Sequence, residues 1–292
     1  MNKPLAPEIR EDILKAQQNE VTEYHIYSRL ARRIKDSSNT ATLQRIAADE
    51  KRHAETWKQY TGIDVKPSRC KIVFYSAVAR VLGLTFGVKL MERGEERAQI
   101  NYDRLAVTIP EARTIEQEED QHERELIDML KEERLEYVGS VVLGLNDALV
   151  ELTGALAGFT FALQNSRIIA LVGLITGIAA SFSMAASEYL SMKSEGESER
   201  AFKGALYTGA AYILTVALLI LPYLLVANYF VSLGVTLGIA VLIILFFNYY
   251  VSVAKDLDFR RRFLEMAGLS LGVAAFSFGV GYLIRIALGV DV

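Results

Sequence analysis

Residues 204–254, GALYTGAAYILTVALLILPYLLVANYFVSLGVTLGIAVLIILFFNYYVSVA, run for 51 positions without one Asp, Glu, Lys or Arg. A helix needs about 20 apolar residues to cross the bilayer core, so this run holds two spans, with Pro222 and Asn228 marking the turn between them. Outward from it, residues 168–187 and 266–284 are also free of charge, and 138–163 is interrupted only by Asp147 and Glu151. Five membrane helices are expected, near 138–163, 167–192, 203–226, 229–253 and 263–287.

The rest of the chain reads differently. Of 67 charged residues, 48 fall in positions 1–136 and 19 in 137–292, although the whole chain of 292 residues is 51% hydrophobic. Such a partition predicts a charged domain at 1–136 and a membrane domain at 137–292. One cysteine, Cys70, makes neither an intrachain disulfide framework nor a four-cysteine metal site. The net charge of −3 is spread over two slightly acidic halves, which argues against a nucleic-acid partner. No secretory signal reads from residues 1–20.

Lys and Arg set the expected orientation. Lys131 and Arg134 precede the first span, Lys193, Arg200 and Lys203 follow the second, and Lys255, Arg260, Arg261 and Arg262 follow the fourth. The opposite side has Arg167 and Arg285. A multi-pass protein of the cell membrane is expected, with a cytoplasmic N-terminal domain and the C-terminus outside. The apolar stretch 72–91 contains Arg80 and Lys89 and reads as a long, partly buried helix of the charged domain rather than a sixth span.

Ionisable residues inside spans are costly, a few kcal/mol each on insertion scales. Asp147 and Glu151 lie one helical turn apart and share a face. Glu188 has Met184 and Met192 one turn to either side. Glu151 and Glu188 also fit a blander role near the interfaces; Asp147, about ten residues into its span, does not. Carboxylate oxygens with thioethers suit a transition-metal ion such as Fe(II) more than Mg or Ca.

The charged domain reads as four helices, about 5–35, 38–61, 68–106 and 109–135, broken at Asp36-Ser37-Ser38-Asn39, Gly62–Pro67 and Thr108-Ile109-Pro110. Two of its three histidines share one local pattern, Glu50-Lys51-Arg52-His53 and Glu119-Asp120-Gln121-His122. Each Glu-x-x-His puts both side chains on one helix face. Two such helices, with a Glu from each of two others, make a carboxylate-bridged di-iron site. Glu20 and Glu95 are the further candidates, each followed seven residues on by a tyrosine, Tyr27 and Tyr102, and Glu92 lies one turn before Glu95. His25 falls outside the pattern.

Through Glu20, Glu50, His53, Glu92, Glu95, Glu119 and His122, residues 5–135 resemble the rubrerythrin-type ferritin-like domains. Residues 137–290 resemble the vacuolar iron transporter family, through VLGLNDALVELTGALAGF at 142–159 and SMAASEYLSMKS at 183–194. The combination is similar to the membrane-bound ferritin proteins of prokaryotes. The resemblance implies an all-α protein, a cytosolic ferritin-like four-helix bundle before a five-helix membrane domain. It also implies a di-iron centre in the bundle and a metal path lined by Asp147, Met184 and Glu188, with Glu151, Met192, Tyr27 and Tyr102 as further candidates. The implied activity is export of Fe(II), with Mn(II) as a second substrate, by proton exchange. A five-span unit has an odd helix count and little internal room, so a homodimer with the path near its two-fold axis is expected. A membrane-anchored di-iron oxidase or peroxidase is the alternative. Two departures stand out: the loop KSEGESERAFK at 193–203 replaces a longer acidic insert found in plant-type members, and no four-cysteine rubredoxin module is present.

Overall fold

The computed structural model describes residues 6–34, 37–98, 102–129 and 137–288. Every regular element among them is an α-helix. The chain divides into two compact units, Met1–Glu132 and Glu133–Val292.

The first unit contains α1 (Pro7–Ala31), α2 (Ser37–Thr61), α3 (Arg69–Leu82), α4 (Leu84–Ala98), α5 (Tyr102–Ala106) and α6 (Glu111–Met129). Pro7 opens α1, where its missing N–H costs nothing, and Glu8 complements the helix dipole. A short connection makes α1 and α2 antiparallel neighbours. Their facing stripes bury Ile26, Tyr27, Leu30, Leu43 and Ile46 in one cluster, and Ile13, Ala16 and Trp57 in another with Leu105, Ile109 and Ala112. Each such aliphatic side chain taken fully from water contributes roughly 1.5–3 kcal/mol. Helix α3 packs on α1, and α6 packs on α2.

The single helix expected over 68–106 is interrupted, and its residues 99–101 lie outside the described residues. Gly83, at φ 103°, breaks it between α3 and α4. No L-residue holds that conformation cheaply, so the chain turns there although the apolar pattern continues through it. The expected continuation of α6 to residue 135 lies outside the described residues, as do Lys131 and Arg134.

The second unit contains α7 (Val138–Leu163), α8 (Ser166–Ser194), α9 (Ser198–Leu225), α10 (Tyr229–Ala254) and α11 (Phe259–Leu288). All five are long and apolar enough to cross a membrane. Their burial pattern is inverted relative to a water-soluble core. Phe182, Leu225, Phe246 and Phe276 point outward, while Thr153, Thr160, Thr208, Thr236, Ser252 and Ser270 are fully buried. Inside, hydroxyls bond to neighbouring backbone, as Thr236 Oγ1 donates to the Leu219 carbonyl (2.9 Å) and Ser270 Oγ to that of Leu149 (2.7 Å). An apolar exterior, with most interior hydroxyls bonded to neighbouring groups, is what a hydrocarbon solvent demands; Thr153 Oγ1 is buried without such a bond.

The connections are short. Asn165 and Asn228 cap α8 and α10, each side-chain oxygen accepting from two backbone N–H groups. Pro222, expected in the turn, lies inside α9 one turn before its end, and Asn228 alone marks the boundary. The loop expected at 193–203 shrinks to 195–197, because α8 continues to Ser194 and α9 starts at Ser198. Gly196, at φ 89°, makes this tight turn, and Glu197 N–H returns to the Met192 carbonyl (2.9 Å). Close helix approach also depends on small residues: a Cβ on Gly281 would collide with the backbone of Gly158.

Candidate functional site

In the first unit, Glu20 from α1, Glu50 and His53 from α2, and Glu119 from α6 offer ligand atoms that all lie within 4.8 Å of one another. The i, i+3 spacing aims each Glu and His of a pair the same way, and the packing of α6 on α2 brings the two pairs face to face. The rings of His53 and His122 stack with centroids 5.9 Å apart.

The nitrogens sort by direction. His53 Nδ1 points inward, 2.9 Å from Glu119 Oε1, 3.5 Å from Glu20 Oε2 and 3.8 Å from Glu50 Oε2. His122 Nδ1 points inward too, 3.2 Å from Glu50 Oε1 and 3.7 Å from Glu119 Oε2. Glu50 and Glu119 therefore each present one oxygen to one histidine and the other oxygen to its counterpart, as bridging carboxylates do. Both Nε2 atoms face outward to other acids, His53 to Glu118 (2.7 Å) and His122 to Asp49 (3.2 Å). Trp57 Nε1–H donates to Glu20 Oε1 (3.1 Å) and fixes that carboxylate.

The electrostatics are strained without a cation. Burial raises Glu50 well above the usual carboxylate range, and the charges of Glu119, Glu20 and Glu23 add to it. Burial opposes charge on His53, but its hydrogen bond with Glu119, its contact with Glu20 and their negative charges outweigh that and lift it to about 10. Burial likewise opposes charge on Glu119, yet the nearby imidazoles of His122 and His53 hold it below its ordinary value. The Tyr102 phenol is raised by burial and by the charges of Glu20, Glu119, Glu23 and Glu50, so it faces the same cluster. Glu20 Oε2, Glu50 Oε2 and His122 Nδ1 are buried without a hydrogen-bond partner. Orphaned acceptors converging on inward imidazole nitrogens fit a pair of divalent transition-metal ions.

Of the seven metal candidates, the structure brings together Glu20, Glu50, His53, Glu119 and His122. The side chains of Glu92 and Glu95 lie outside the described residues. Tyr27 is buried in the apolar cluster between α1 and α2. Glu23, Asp49, Glu118 and Trp57 escaped the sequence reading. Glu23 follows Glu20 at i+3, and Asp49 and Glu118 immediately precede the motif glutamates, so an acid-Glu-x-x-His repeat was the available signal.

In the second unit a polar stripe runs between α7 and α9. Ser140 Oγ donates to Glu188 Oε1 of α8 (2.5 Å), and Thr208 Oγ1 donates to the Ser140 carbonyl (3.0 Å). Gly144, one turn further, lies against the Thr208 backbone so closely that no Cβ fits. Asp147 and Glu151 follow on the same face, and fully buried Tyr212 donates to Glu151 Oε2 (2.9 Å). Ser140 and Asp147 are two turns apart, about 10 Å along the axis. The Met192 thioether lies against Gly204 beside Ser140, so Met192 joins the Glu188 end of the stripe. Met184 is half-buried against the apolar core of this unit. Ser140, Thr208 and Tyr212 were not singled out from sequence, although Gly204, Thr208 and Tyr212 recur every fourth residue in an apolar helix.

No curated protein matches this chain. Residues 138–204, covering α7, α8 and the start of α9, match the model of the VIT family. With five helices long and apolar enough to cross a membrane, the second unit is thus similar to a family of membrane transporters for metal ions such as iron.

Proposed function

We propose that this protein exports Fe(II) from the cytosol across the cell membrane, with Mn(II) as a second substrate, and that its first unit is a ferritin-like, rubrerythrin-type domain holding a di-iron centre. The observation that carries the transport reading is the stripe Ser140–Glu188–Asp147–Glu151–Tyr212, which puts carboxylates at span depth within a segment matching the VIT family. A charge kept there at a cost of a few kcal/mol has a use. Carboxylates that bind a proton or a cation, but not both well, support coupling of metal flux to protons. Asp147, Met184 and Glu188 form the path, with Glu151 and Met192 beside it. The first unit faces the cytosol and the C-terminus faces outside, following the Lys/Arg bias. The transporter works as a homodimer: Glu151 is exposed on a single chain, and lipid does not solvate a carboxylate.

In the first unit, Glu20, Glu50, His53, Glu119 and His122 would hold two irons. When bound, iron supplies one-electron redox chemistry, so collection, sensing and oxidation of Fe(II) are its candidate roles. Glu50 and Glu119 would each serve both positions, Trp57 fixes Glu20, and burial of Glu20, Glu50, His53 and His122 limits water, while Glu119 is partly exposed.

The test is flux in proteoliposomes. Fe(II) is supplied anaerobically on the side of the first unit, and wild type is compared with Asp147→Ala. Uptake that falls at least tenfold in the variant supports the transporter. Absence of uptake in wild type, with Fe(II) oxidation proceeding once oxygen is admitted, refutes it in favour of a membrane-anchored di-iron oxidase.

A further inference from the structure

Residues 65–91 hold five Lys or Arg and no Asp or Glu, in a unit whose acids otherwise outnumber its bases. Helix α3 lies within this stretch and is apolar on two sides. Inward, Ser76 and Ala79 are buried, and half-buried Ile72 and Tyr75 pack on the cluster of Ile26, Leu30 and Leu43. Outward, Val73, Phe74 and Val81 are 60%, 54% and 71% exposed. With about 100° between successive residues, Cys70, Phe74, Ala77 and Val81 fall within about 60° of one another, and Val73 lies at their edge. All five are open to solvent. A helix that is apolar all round is normally covered all round.

Cations border the stripe. Arg69 and Arg80 lie about 100° to one side of its centre and Lys71 about 90° to the other. All three are exposed, and Lys71 Nζ donates to the neutral Asn19 Oδ1 (3.3 Å). An apolar face edged by cations on both flanks is the pattern of a helix that lies in the plane of a membrane surface.

Size and charge favour lipid over a second copy of the chain. From Cys70 to Val81 the stripe is about 18 Å long and about 10 Å wide, on the order of 200 Å², whereas a stable protein–protein interface takes about 800 Å² from each partner. Two copies meeting here about a two-fold axis would set the same cations against each other, with no acid in the segment to answer them. An anionic bilayer surface asks for no shape match. It accepts Phe and Val at the boundary between headgroups and acyl chains, and it draws Lys and Arg, whose stems reach back to the phosphates. The same chain carries five helices long and apolar enough to cross a bilayer.

We infer that α3 is an interfacial helix: its Cys70–Phe74–Ala77–Val81 stripe rests on the surface of an anionic bilayer, with Arg69, Lys71 and Arg80 on lipid phosphates. The inference rests on the membrane assignment of the second unit and is independent of what that unit transports.

The chain supplies its own probe. Cys70 is its one cysteine and is exposed at the start of α3. The full-length protein, carrying an NBD fluorophore on Cys70, is placed in lipid nanodiscs of phosphatidylcholine alone or of phosphatidylcholine and phosphatidylglycerol in equal parts. Nitroxide-labelled lipid quenches a probe in the bilayer, and iodide quenches one in water. In the anionic discs the probe should be quenched by lipid nitroxide and shielded from iodide; in the neutral discs lipid quenching should fall. Each cation near an anionic leaflet favours docking about fivefold. The triple variant Arg69→Gln, Lys71→Gln, Arg80→Gln should therefore lower the docked-to-undocked ratio about 100-fold. Salt at about 0.5 M should act in the same direction, and Phe74→Asp with Val81→Asp should expose the probe in both kinds of disc. The five changed side chains are exposed, so thermal unfolding followed through Trp57, the one tryptophan, should match wild type within a few degrees. A probe at Thr114→Cys in a Cys70→Ser background, exposed on α6, should stay open to iodide throughout. Iodide access to Cys70 in anionic discs, without lipid quenching, overturns the interfacial helix. Shielding from iodide without lipid quenching overturns it too, and excimer emission from pyrene on Cys70 then assigns the stripe to a second copy. Lipid quenching that is equal in both discs and indifferent to the triple variant overturns the role of the cations. A chain that stays dissolved without detergent or lipid overturns the membrane assignment itself, and the interfacial helix with it.

Discussion

Raising the pH should unlock the metal-free first unit, and metal should abolish the effect. His53 has a folded pKa of about 10, set by its carboxylate neighbours against the cost of burial. In the unfolded chain a histidine titrates near 6.5. The folded state therefore holds a proton that the unfolded state releases, so stability is full below about pH 6.5 and is lost as pH rises toward about 10. One proton corresponds to about 1.4 kcal/mol per pH unit, or about 3 kcal/mol between pH 7 and 9. Glu50, also raised, adds in the same direction wherever it keeps its proton. Glu118 and Glu119 are lowered: for Glu118, hydrogen bonds with His53 and Arg52 outweigh the opposing effect of burial. Their contributions are lost only as pH falls through the acid range, outside this window. The assay is urea unfolding of the full chain in detergent, read through Trp57, which reports only the first unit. With slopes of roughly 1–3 kcal/mol per molar urea, the midpoint should drop by on the order of 1 M between pH 7 and 9. Saturating Co(II) replaces the Nδ1 proton and should flatten the dependence. A metal-free midpoint constant from pH 7 to 9 refutes the protonated, carboxylate-locked His53.

Two further outcomes concern the second unit. Gly281→Ala places a methyl against the Gly158 backbone, which has no side chain to swing away; a loss of about 1–3 kcal/mol is expected. Thermal melting in detergent checks it against Gly279→Ala, where the added methyl meets nothing within 4 Å and should be neutral. Tyr212→Phe deletes one buried hydroxyl and its 2.9 Å bond to Glu151, and should cost about 1.5–3 kcal/mol by the same melting assay. A melting temperature equal to wild type removes Tyr212 from the stripe.

The spans were legible because hydrocarbon imposes a single test, about 20 residues without charge, and 204–254 passes it twice. Boundaries were less so. Pro222 looked like a turn and is buried inside α9, three residues before its end, where its carbonyl accepts from the Val226 N–H. Gly83 falls within the stretch read as one helix over 68–106, yet its positive φ ends α3; a glycine's backbone angle is not written in its neighbours. In the metal cluster, the i, i+3 pairs were readable from spacing alone. Asp49 and Glu118 were not, because their partners lie 73 and 65 residues away, across a helix contact. Tyr212 was missed for the same reason: its partner Glu151 is 61 residues distant.

The two polar assemblies differ in a way that bears on what each does with a cation. The first gathers four ligand atoms within 4.8 Å, three of them on buried residues and the fourth on partly buried Glu119, and braces them through Trp57, Asp49 and Glu118. Convergent, pre-positioned donors pay little on binding, so such a site retains its ion. The stripe along α7 is the opposite arrangement. Its donors are strung out, with Ser140 and Glu188 at one level and Asp147, Glu151 and Tyr212 about two turns further along. Glu188 and Glu151 are each engaged by a hydroxyl, from Ser140 and Tyr212, that must yield before an ion is fully bound. Passage requires stations strong enough to draw an ion in and weak enough to let it go. A convergent cluster supplies retention, and a series of partly satisfied carboxylates supplies passage. The proposed division of labour between the units follows from donor number and spacing in each.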